Sequence, residues 1–133
     1  MLKRGDVMEY QKPLDIEDVL RVKVQEHTEA KCLCLPLPNP LPVPSVVFKR
    51  VGGSRRDKVL DTYNVNVDCR AESMCKAVDL ANEIAGICTE LDFPIYECQI
   101  NAQPYPNFDT FHKNVERVSM TLFVTARNAT SQA

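Results

Sequence analysis

Alternation of apolar and polar residues marks two stretches of the chain as strands. In residues 60–70, every second residue from Tyr63 to Cys69 is apolar, and the residues between them are polar. In residues 115–127, a similar alternation runs from Val118 to Ala126. Because successive side chains of a strand point to opposite faces, both stretches are predicted to lie in a sheet that packs on one face.

Two other stretches repeat their apolar residues at helical spacing. Residues 13–28 place Asp15 where it can cap a helix and then carry an apolar stripe. Residues 71–91 carry a broad apolar arc between Met74 and Leu91, with mostly charged residues on the opposite side. The spacing therefore predicts two amphipathic helices, each with one face for packing against the sheet.

Three shorter stretches complete the predicted sheet. Residues 31–35, 45–51 and 95–102 have the composition of strands. Residues 52–57 contain two adjacent glycines and are predicted to form a turn or a longer hairpin tip. Residues 103–114 are predicted to form a loop.

A proline-rich connector separates two of these strands. Five of the nine residues in 36–44 are proline, which excludes a helix or a central strand and predicts an extended connector. The predicted order is helix, strand, strand, strand, helix, strand, strand, with hairpins joining the second strand to the third and the fourth to the fifth. This order predicts an α+β fold: a mixed, mostly antiparallel β-sheet of about five strands with two α-helices packed on one face.

Length and composition indicate one globular domain. The 133 residues are 44% hydrophobic and 26% charged, as is usual for a globular protein. Residues 1–133 are expected to form a single domain with flexible ends at 1–12 and 128–133. No apolar run approaches the roughly 18 residues of a membrane span, and the start of the chain lacks the apolar core of a secretory signal, so no membrane segment is expected.

The charge balance argues against a dedicated DNA-binding protein. Sixteen Lys and Arg residues stand against eighteen Asp and Glu residues, which gives a formal net charge of −2. Proteins that grip duplex DNA usually carry a basic surplus, because phosphate neutralisation supplies much of their affinity. The balance is compatible with a protein through which DNA only passes.

The spacing of the six cysteines does not favour disulfides. Cys75 and Cys88 lie in one predicted helix, about 20 Å apart at 1.5 Å per residue. Cys32 and Cys34 lie side by side on one strand, with poor geometry for a bridge. Because the chain has no C-x-x-C pair for zinc, we expect buried free thiols and no metal site.

Few residues suggest catalysis. Asp109 and His112 are spaced to form an acid–base pair, but a solvated loop is the favoured interpretation. Asp61 and Asp68 are seven residues apart on one strand and therefore point to opposite faces, which excludes a two-carboxylate site. The chain has no phosphate-binding glycine loop and no nucleophile elbow, so no cofactor is expected.

Two segments carry side chains suited to contacts with other molecules. The first is a basic cluster around the two glycines at 52 and 53, made of Arg50, Arg55, Arg56 and Lys58. It is interpreted either as a contact loop for a partner or for passing nucleic acid, or as a solvated hairpin tip. The second is the loop 103–114, whose aromatic residues either anchor an interface or cover the far edge of the sheet.

Three sequence runs in this order resemble a known family. They are VVFKRVGG at 46–53, YNVNVDCRAES at 63–73, which leads into the second helix, and FVTAR at 123–127. The chain resembles the small tail terminator proteins of long-tailed bacteriophages and prophages, especially those of actinobacterial phages. The resemblance covers about residues 14–127. The chain departs from the family where Cys69 and Arg70 replace the usual Trp or other aromatic residue.

The resemblance implies a structural virion protein and no enzyme. Such tail completion proteins form rings, usually sixfold, that cap the tail tube of a siphovirus, end its polymerisation and provide the head–tail joining surface. The implied partners are further copies of this chain in a hexameric ring, the tail tube protein and a head-completion or connector protein. Genomic DNA passes through the lumen without sequence-specific binding. The implied location is the virion, at the head–tail interface, after virion assembly in the host cytoplasm.

By this resemblance two interface segments are assigned. The first comprises Arg50, Gly52, Gly53, Arg55, Arg56 and Asp57. The second comprises Tyr105, Phe108, Asp109 and Phe111. No catalytic, cofactor-binding or metal-binding residue is implied.

Two alternatives remain open. A head-completion or stopper protein belongs to the same assembly class but docks on the portal side. A small thiol-dependent enzyme of α+β fold would use Cys32 and Cys34, and it requires a reactive thiol with a lowered pKa.

Overall fold

The computed structural model describes residues 12–110 and 112–128. The elements follow the predicted order: α1 (Ile16–Gln25), β1 (Lys31–Cys34), β2 (Ser45–Arg55), β3 (Leu60–Ala71), α2 (Met74–Cys88), β4 (Ile95–Pro106) and β5 (Glu116–Arg127). The ends 1–11 and 129–133, which were expected to be flexible, lie outside the described residues. No helix in the described part of the chain is long and apolar enough to cross a membrane.

The five strands form one mixed sheet in the order β1-β2-β3-β5-β4. β1 runs parallel to β2, and every other neighbouring pair is antiparallel. The β2–β3 and β4–β5 pairs are the two predicted hairpins. The predicted fold class, an α+β fold with a mostly antiparallel sheet, is confirmed.

The helices cover one face of the sheet. Tyr63 and the alternating residues of β3 to Cys69 are fully buried, as are those of β5 from Val118 to Ala126. The same core includes residues of α1 such as Leu20 and of α2. Burying each large apolar side chain contributes roughly 1.5–3 kcal/mol, so this shared face is what holds the two layers together.

Helix α1 begins as the sequence indicates and ends earlier. The Asp15 carboxylate accepts a hydrogen bond from the backbone N–H of Asp18, at 3.4 Å. At the other end, the Gln25 side chain donates to the carbonyl oxygens of Thr28 and Ala30 and accepts from the backbone N–H of Cys32. These bonds stabilise a turn at the residues after Gln25, where the sequence had predicted that the helix continues to Thr28.

Helix α2 is shorter at both ends than the predicted 71–91. Ala71 still belongs to β3, and Ser73 caps the helix by accepting from the backbone N–H of Lys76 at 3.2 Å. The helix ends at Cys88, and the Thr89 hydroxyl bonds to the carbonyl oxygen of Gly86. The spacing of apolar residues predicted the position of the helix correctly. The hydrogen bonds at its two ends determine its first and last residues.

Strand β2 extends through most of the predicted tip. Gly52 and Gly53 pair with Asn64 and Tyr63 of β3, after an irregularity in the register between Arg50 and Gly52. A Cβ added to Gly53 would lie 2.5 Å from the carbonyl oxygen of Thr62. The second glycine therefore permits a close approach of two strands and does not form a turn.

Strand β4 extends through residues predicted as a loop. Tyr105 and Pro106 pair with Ser119 and Val118 of β5, after three register shifts. Prolines 104 and 106 are tolerated because β4 is an edge strand, where one row of backbone groups has no strand neighbour. The connector 36–44 contains neither helix nor strand, as predicted.

Candidate functional site

The two predicted interface segments lie at opposite ends of the sheet. The β2–β3 hairpin joins the end of β2 to the start of β3, and the loop between β4 and β5 lies beside the end of β3. The twelve residues of β3 span about 40 Å at 3.3 Å per residue. The structure therefore does not bring the two segments together into one site.

Asp57 builds the tip of the β2–β3 hairpin. The backbone N–H groups of Arg56 and Asp57 donate to the carbonyl oxygen of Leu60 at 3.0 and 3.1 Å. The Asp57 carboxylate accepts from the backbone N–H groups of Val59 and Leu60, both at 2.9 Å, and these bonds lower its pKa. The role of Asp57 within its own chain is to form this turn.

Arg55 is engaged with its own strand pair. Its guanidinium forms an ion pair with the Asp61 carboxylate, whose side chain is buried. The Tyr63 hydroxyl also reaches this carboxylate, at 3.4 Å. Since Asp61 lies on the helix-covered face and Asp68 on the other, the prediction that they occupy opposite faces is confirmed.

Arg50 is also packed against the fold. Its guanidinium lies 5.0 Å from the centre of the Tyr63 ring, and its backbone N–H donates to the Glu17 carboxylate at 2.8 Å. The Tyr63 hydroxyl accepts from the backbone N–H of Leu14 at 2.8 Å, and burial raises the Tyr63 pKa. The basic cluster therefore divides into Arg50 and Arg55, which fix the hairpin, and the exposed Arg56 and Lys58 at its tip.

The loop after β4 is held down by a buried ion pair. Asp109 accepts from the Arg70 guanidinium at 2.8 Å, and both side chains are buried. The Nδ1 atom of His112 lies 2.8 Å from the same carboxylate, and the His112 backbone N–H donates to it at 3.0 Å. The expectation of a solvated loop is therefore wrong for Asp109, because the buried Arg70 requires a counter-charge.

A second arginine fastens the same loop to the outer face of the sheet. Arg117 donates to the carbonyl oxygens of Asn107 at 2.8 Å and Phe108 at 3.1 Å. The Asn107 side chain donates to the Ser119 hydroxyl, which donates to Asp68 at 2.6 Å. Asp109 and His112 are therefore in contact, as an acid–base pair requires. Their contact belongs to a larger set, which we call the clamp: Arg70 and Arg117 bind the loop and hold it against the sheet.

Exposed aromatic side chains gather along the β4 edge. Tyr105 is 42% exposed and Phe108 is 69% exposed. Phe93 and Tyr96, at the other end of β4, are also exposed and form an edge-to-face pair with ring centres 6.2 Å apart. Sequence reasoning missed this second pair, which only the position of β4 at the sheet edge identifies. Phe111 lies outside the described residues.

The pKa values of the two thiols in β1 are raised, whereas a reactive nucleophile needs a lowered pKa. All six cysteines are free. Burial raises the pKa of Cys32 to about 11 and raises that of Cys34. Burial also raises the pKa of Cys69, and contact with Cys98 raises that of Cys88. The expectation of burial is wrong for Cys75, which is exposed. Within 12–110 and 112–128, no three His, Cys, Asp or Glu residues are grouped to hold a metal ion.

Comparisons with known proteins do not assign the chain to a family. No protein-family model matches it. No curated protein matches it either.

Proposed function

We propose that this chain is a structural protein of a long-tailed phage virion that caps the tail tube, ends its polymerisation and forms the head–tail joining surface. One observation carries the proposal. Two exposed surfaces lie at opposite ends of one sheet, a cationic hairpin tip at Arg56 and Lys58 and an aromatic surface at Tyr105 and Phe108. Such an arrangement suits a subunit that contacts different neighbours at its two ends, whether other copies of this chain or other virion proteins.

The way each surface is built supports this proposal. Arg50, Arg55 and Asp57 hold the hairpin rigid, while Arg70 and Arg117 hold the opposite loop against the sheet. A rigid contact surface loses little conformational entropy on assembly, so more of its interaction energy appears as affinity.

The two edges of the sheet support assembly into a ring, which we propose to be sixfold. β1 and β4 are both edge strands, but β1 has four residues and β4 has twelve. Unlike edges favour head-to-tail contacts between copies, and such contacts close into a ring when the rotation permits. The near-neutral net charge of −2 suits a lumen through which DNA slides.

The raised pKa values of Cys32 and Cys34 disfavour the thiol-dependent enzyme that would use them. A catalytic thiol needs a lowered pKa, and burial instead raises the pKa of Cys32 to about 11. The stopper protein fits the same two-ended geometry, and the deletion experiment below separates it from the terminator.

Deletion of the gene from its phage tests the proposal. A terminator is expected to leave tails of uncontrolled length, separate from filled heads, in electron micrographs of the lysate. Heads that leak DNA beside tails of normal length indicate the stopper, and normal virions contradict both roles. Complementation with the native gene is the control for the deletion.

Complementing variants test the hairpin itself. Arg56→Glu with Lys58→Glu is expected to reduce joined particles while the purified chain still folds. Lys49→Glu, at an exposed lysine in the middle of β2, away from the hairpin tip and from the helix-end side of the sheet, is the matched control and is expected to join heads and tails normally.

A further inference from the structure

A concave groove lies where the two helices approach the end of the sheet. We call it the helix-end groove. It has a volume of about 740 Å³ and lies between the end of α1, the start of α2 and the ends of the connector and β3. Ala30, Val43 and Leu80 contribute apolar lining. The groove has the size of a binding cleft and an apolar component that favours occupation by a side chain.

Five of the thirteen residues that line this groove carry carboxylates. They are Glu26, Glu29, Glu72, Asp79 and Glu83. Lys76 is the one lysine among the lining residues, and it pairs with Glu72 at 3.4 Å. Glu83 accepts from the Thr28 hydroxyl at 2.6 Å. Within the described residues no ion pair neutralises Glu26, Glu29 or Asp79, so the groove keeps a negative charge.

The hairpin tip carries the complementary charge. It projects Arg56 and Lys58, both exposed, and places Val59, which is 40% exposed, directly after them. Asn128 braces the tip, because its backbone N–H donates to the carbonyl oxygen of Val59 and its side chain to that of Lys58, at 2.9 and 2.8 Å. The tip therefore presents two cations and one apolar side chain on a fixed turn.

One molecule cannot bring these two surfaces together. Pro44 and Ala71 line the groove, and they lie next to the start of β2 and at the end of β3. The hairpin joins the opposite ends of the same two strands. The eleven residues of β2 hold tip and groove about 36 Å apart, at 3.3 Å per residue. Only a second molecule can join them.

We propose that the hairpin tip of one copy docks into the helix-end groove of the next copy. Arg56 and Lys58 would face Glu29 and Asp79, with Val59 against the apolar lining. The occupant is a second copy of this chain because the same molecule carries both halves of the contact. The inference deepens the proposed function, on whose ring it rests, by naming the surfaces that join its subunits. The contact is head-to-tail, as a closed ring requires.

Charge exchange tests this contact. The double substitution Arg56→Glu with Lys58→Glu is expected to weaken self-association on the order of tenfold or more. The separate double substitution Glu29→Lys with Asp79→Lys is expected to have the same effect. Static light scattering and native mass spectrometry at low salt measure the self-association. All four substitutions together are expected to restore it. Glu90→Lys, at an exposed acidic residue just after the end of α2, is the matched control and is expected to change little.

Cross-linking gives a second readout that does not depend on a variant. Carbodiimide treatment of a mixture of ¹⁴N- and ¹⁵N-labelled chains is expected to join Lys58 of one copy to Glu29 or Asp79 of another. Cross-links of Lys58 confined to single copies overturn the proposal. So does a chain that stays monomeric at every concentration and salt, or a fourfold variant that associates no better than its parents.

The experiments distinguish a failure of the phage role from a failure of the contact between copies. If deletion of the gene gives overlong tails while the charge exchange leaves association unchanged, the terminator role stands and this contact does not. If copies join through tip and groove while deletion leaves virions normal, the contact stands and the phage role does not.

Discussion

At the scale of single residues, this chain shows that the same residue type has opposite effects in different surroundings. Gly53 lies where two strands approach closely, and a Cβ there would meet the backbone of Thr62 at 2.5 Å. Gly86 lies in the last turn of α2, and a Cβ there would meet nothing within 4 Å. The backbone contact, and not the glycine itself, decides what a substitution does.

Alanine at these two glycines should therefore change stability in opposite directions. Gly53→Ala is expected to lower the free energy of unfolding by roughly 1–3 kcal/mol, because backbone atoms must move apart. Gly86→Ala is expected to raise it by up to about 1 kcal/mol, because alanine favours the helix. Urea denaturation of both variants checks this, and a neutral Gly53→Ala would show that the strand pair is looser than described.

The buried thiols make stability depend on pH at the alkaline side. Burial raises the pKa of Cys32 to about 11, so above pH 9 the unfolded chain loses this proton and the folded chain keeps it. The folded state then binds more protons, and stability falls as the pH rises from 9 towards 11.

Cys32→Ala should make this decline shallower, by at most about 1.4 kcal/mol per pH unit. Unfolding curves of the variant and the native chain between pH 8 and 11 measure the difference in slope. Cys75→Ala, at the exposed cysteine, is the control and should leave the slope unchanged. Equal slopes for all three proteins would contradict the burial of Cys32.

At the scale of elements, the loop between β4 and β5 is defined by its clamp. The described residues of this loop, 107–110 and 112–115, belong to no strand or helix, and the loop is fixed by Arg70 to Asp109 and by Arg117 to the backbone of Asn107 and Phe108. A buried ion pair adds little net stability over apolar residues of similar size, but the loss of one partner leaves an uncompensated buried charge.

Asp109→Asn is expected to destabilise the chain by about 3–5 kcal/mol, because the Arg70 charge then lies buried without its counter-charge. Arg70→Leu combined with Asp109→Leu is expected to recover most of this loss. Asp92→Asn, at an exposed ion pair with Lys23, is the control and should change stability little. Thermal unfolding measures all three, and a mild Asp109→Asn effect would show that water reaches the clamp.

At the scale of the whole molecule, acidic and basic side chains are concentrated at different places, although the net charge is only −2. Carboxylates collect in the helix-end groove, the cations Arg56 and Lys58 lie at the far hairpin tip, and exposed aromatic residues follow the β4 edge. Surfaces of different chemistry at different ends suit a subunit with several neighbours. This distribution underlies both proposals above.

The sequence by itself determined the elements, their order and their buried faces. Alternation identified β3 and β5, and helical spacing identified α1 and α2, because the spacing of apolar residues is a local property of a strand or helix. It placed the ends less well. Gly53 and Pro106 were assigned outside strands, since only their neighbours in the sheet show that a close approach or an edge position accommodates them.

The tertiary structure alone decided which residues act together. Arg70 and Asp109 are thirty-nine positions apart and form one buried pair, and Arg55, which the sequence suggested as a contact residue, is held by Asp61. Asn128 was assigned to a flexible tail and is instead buried against the hairpin. These partners are distant in sequence and meet only when the sheet forms, so no local pattern of residues can reveal them.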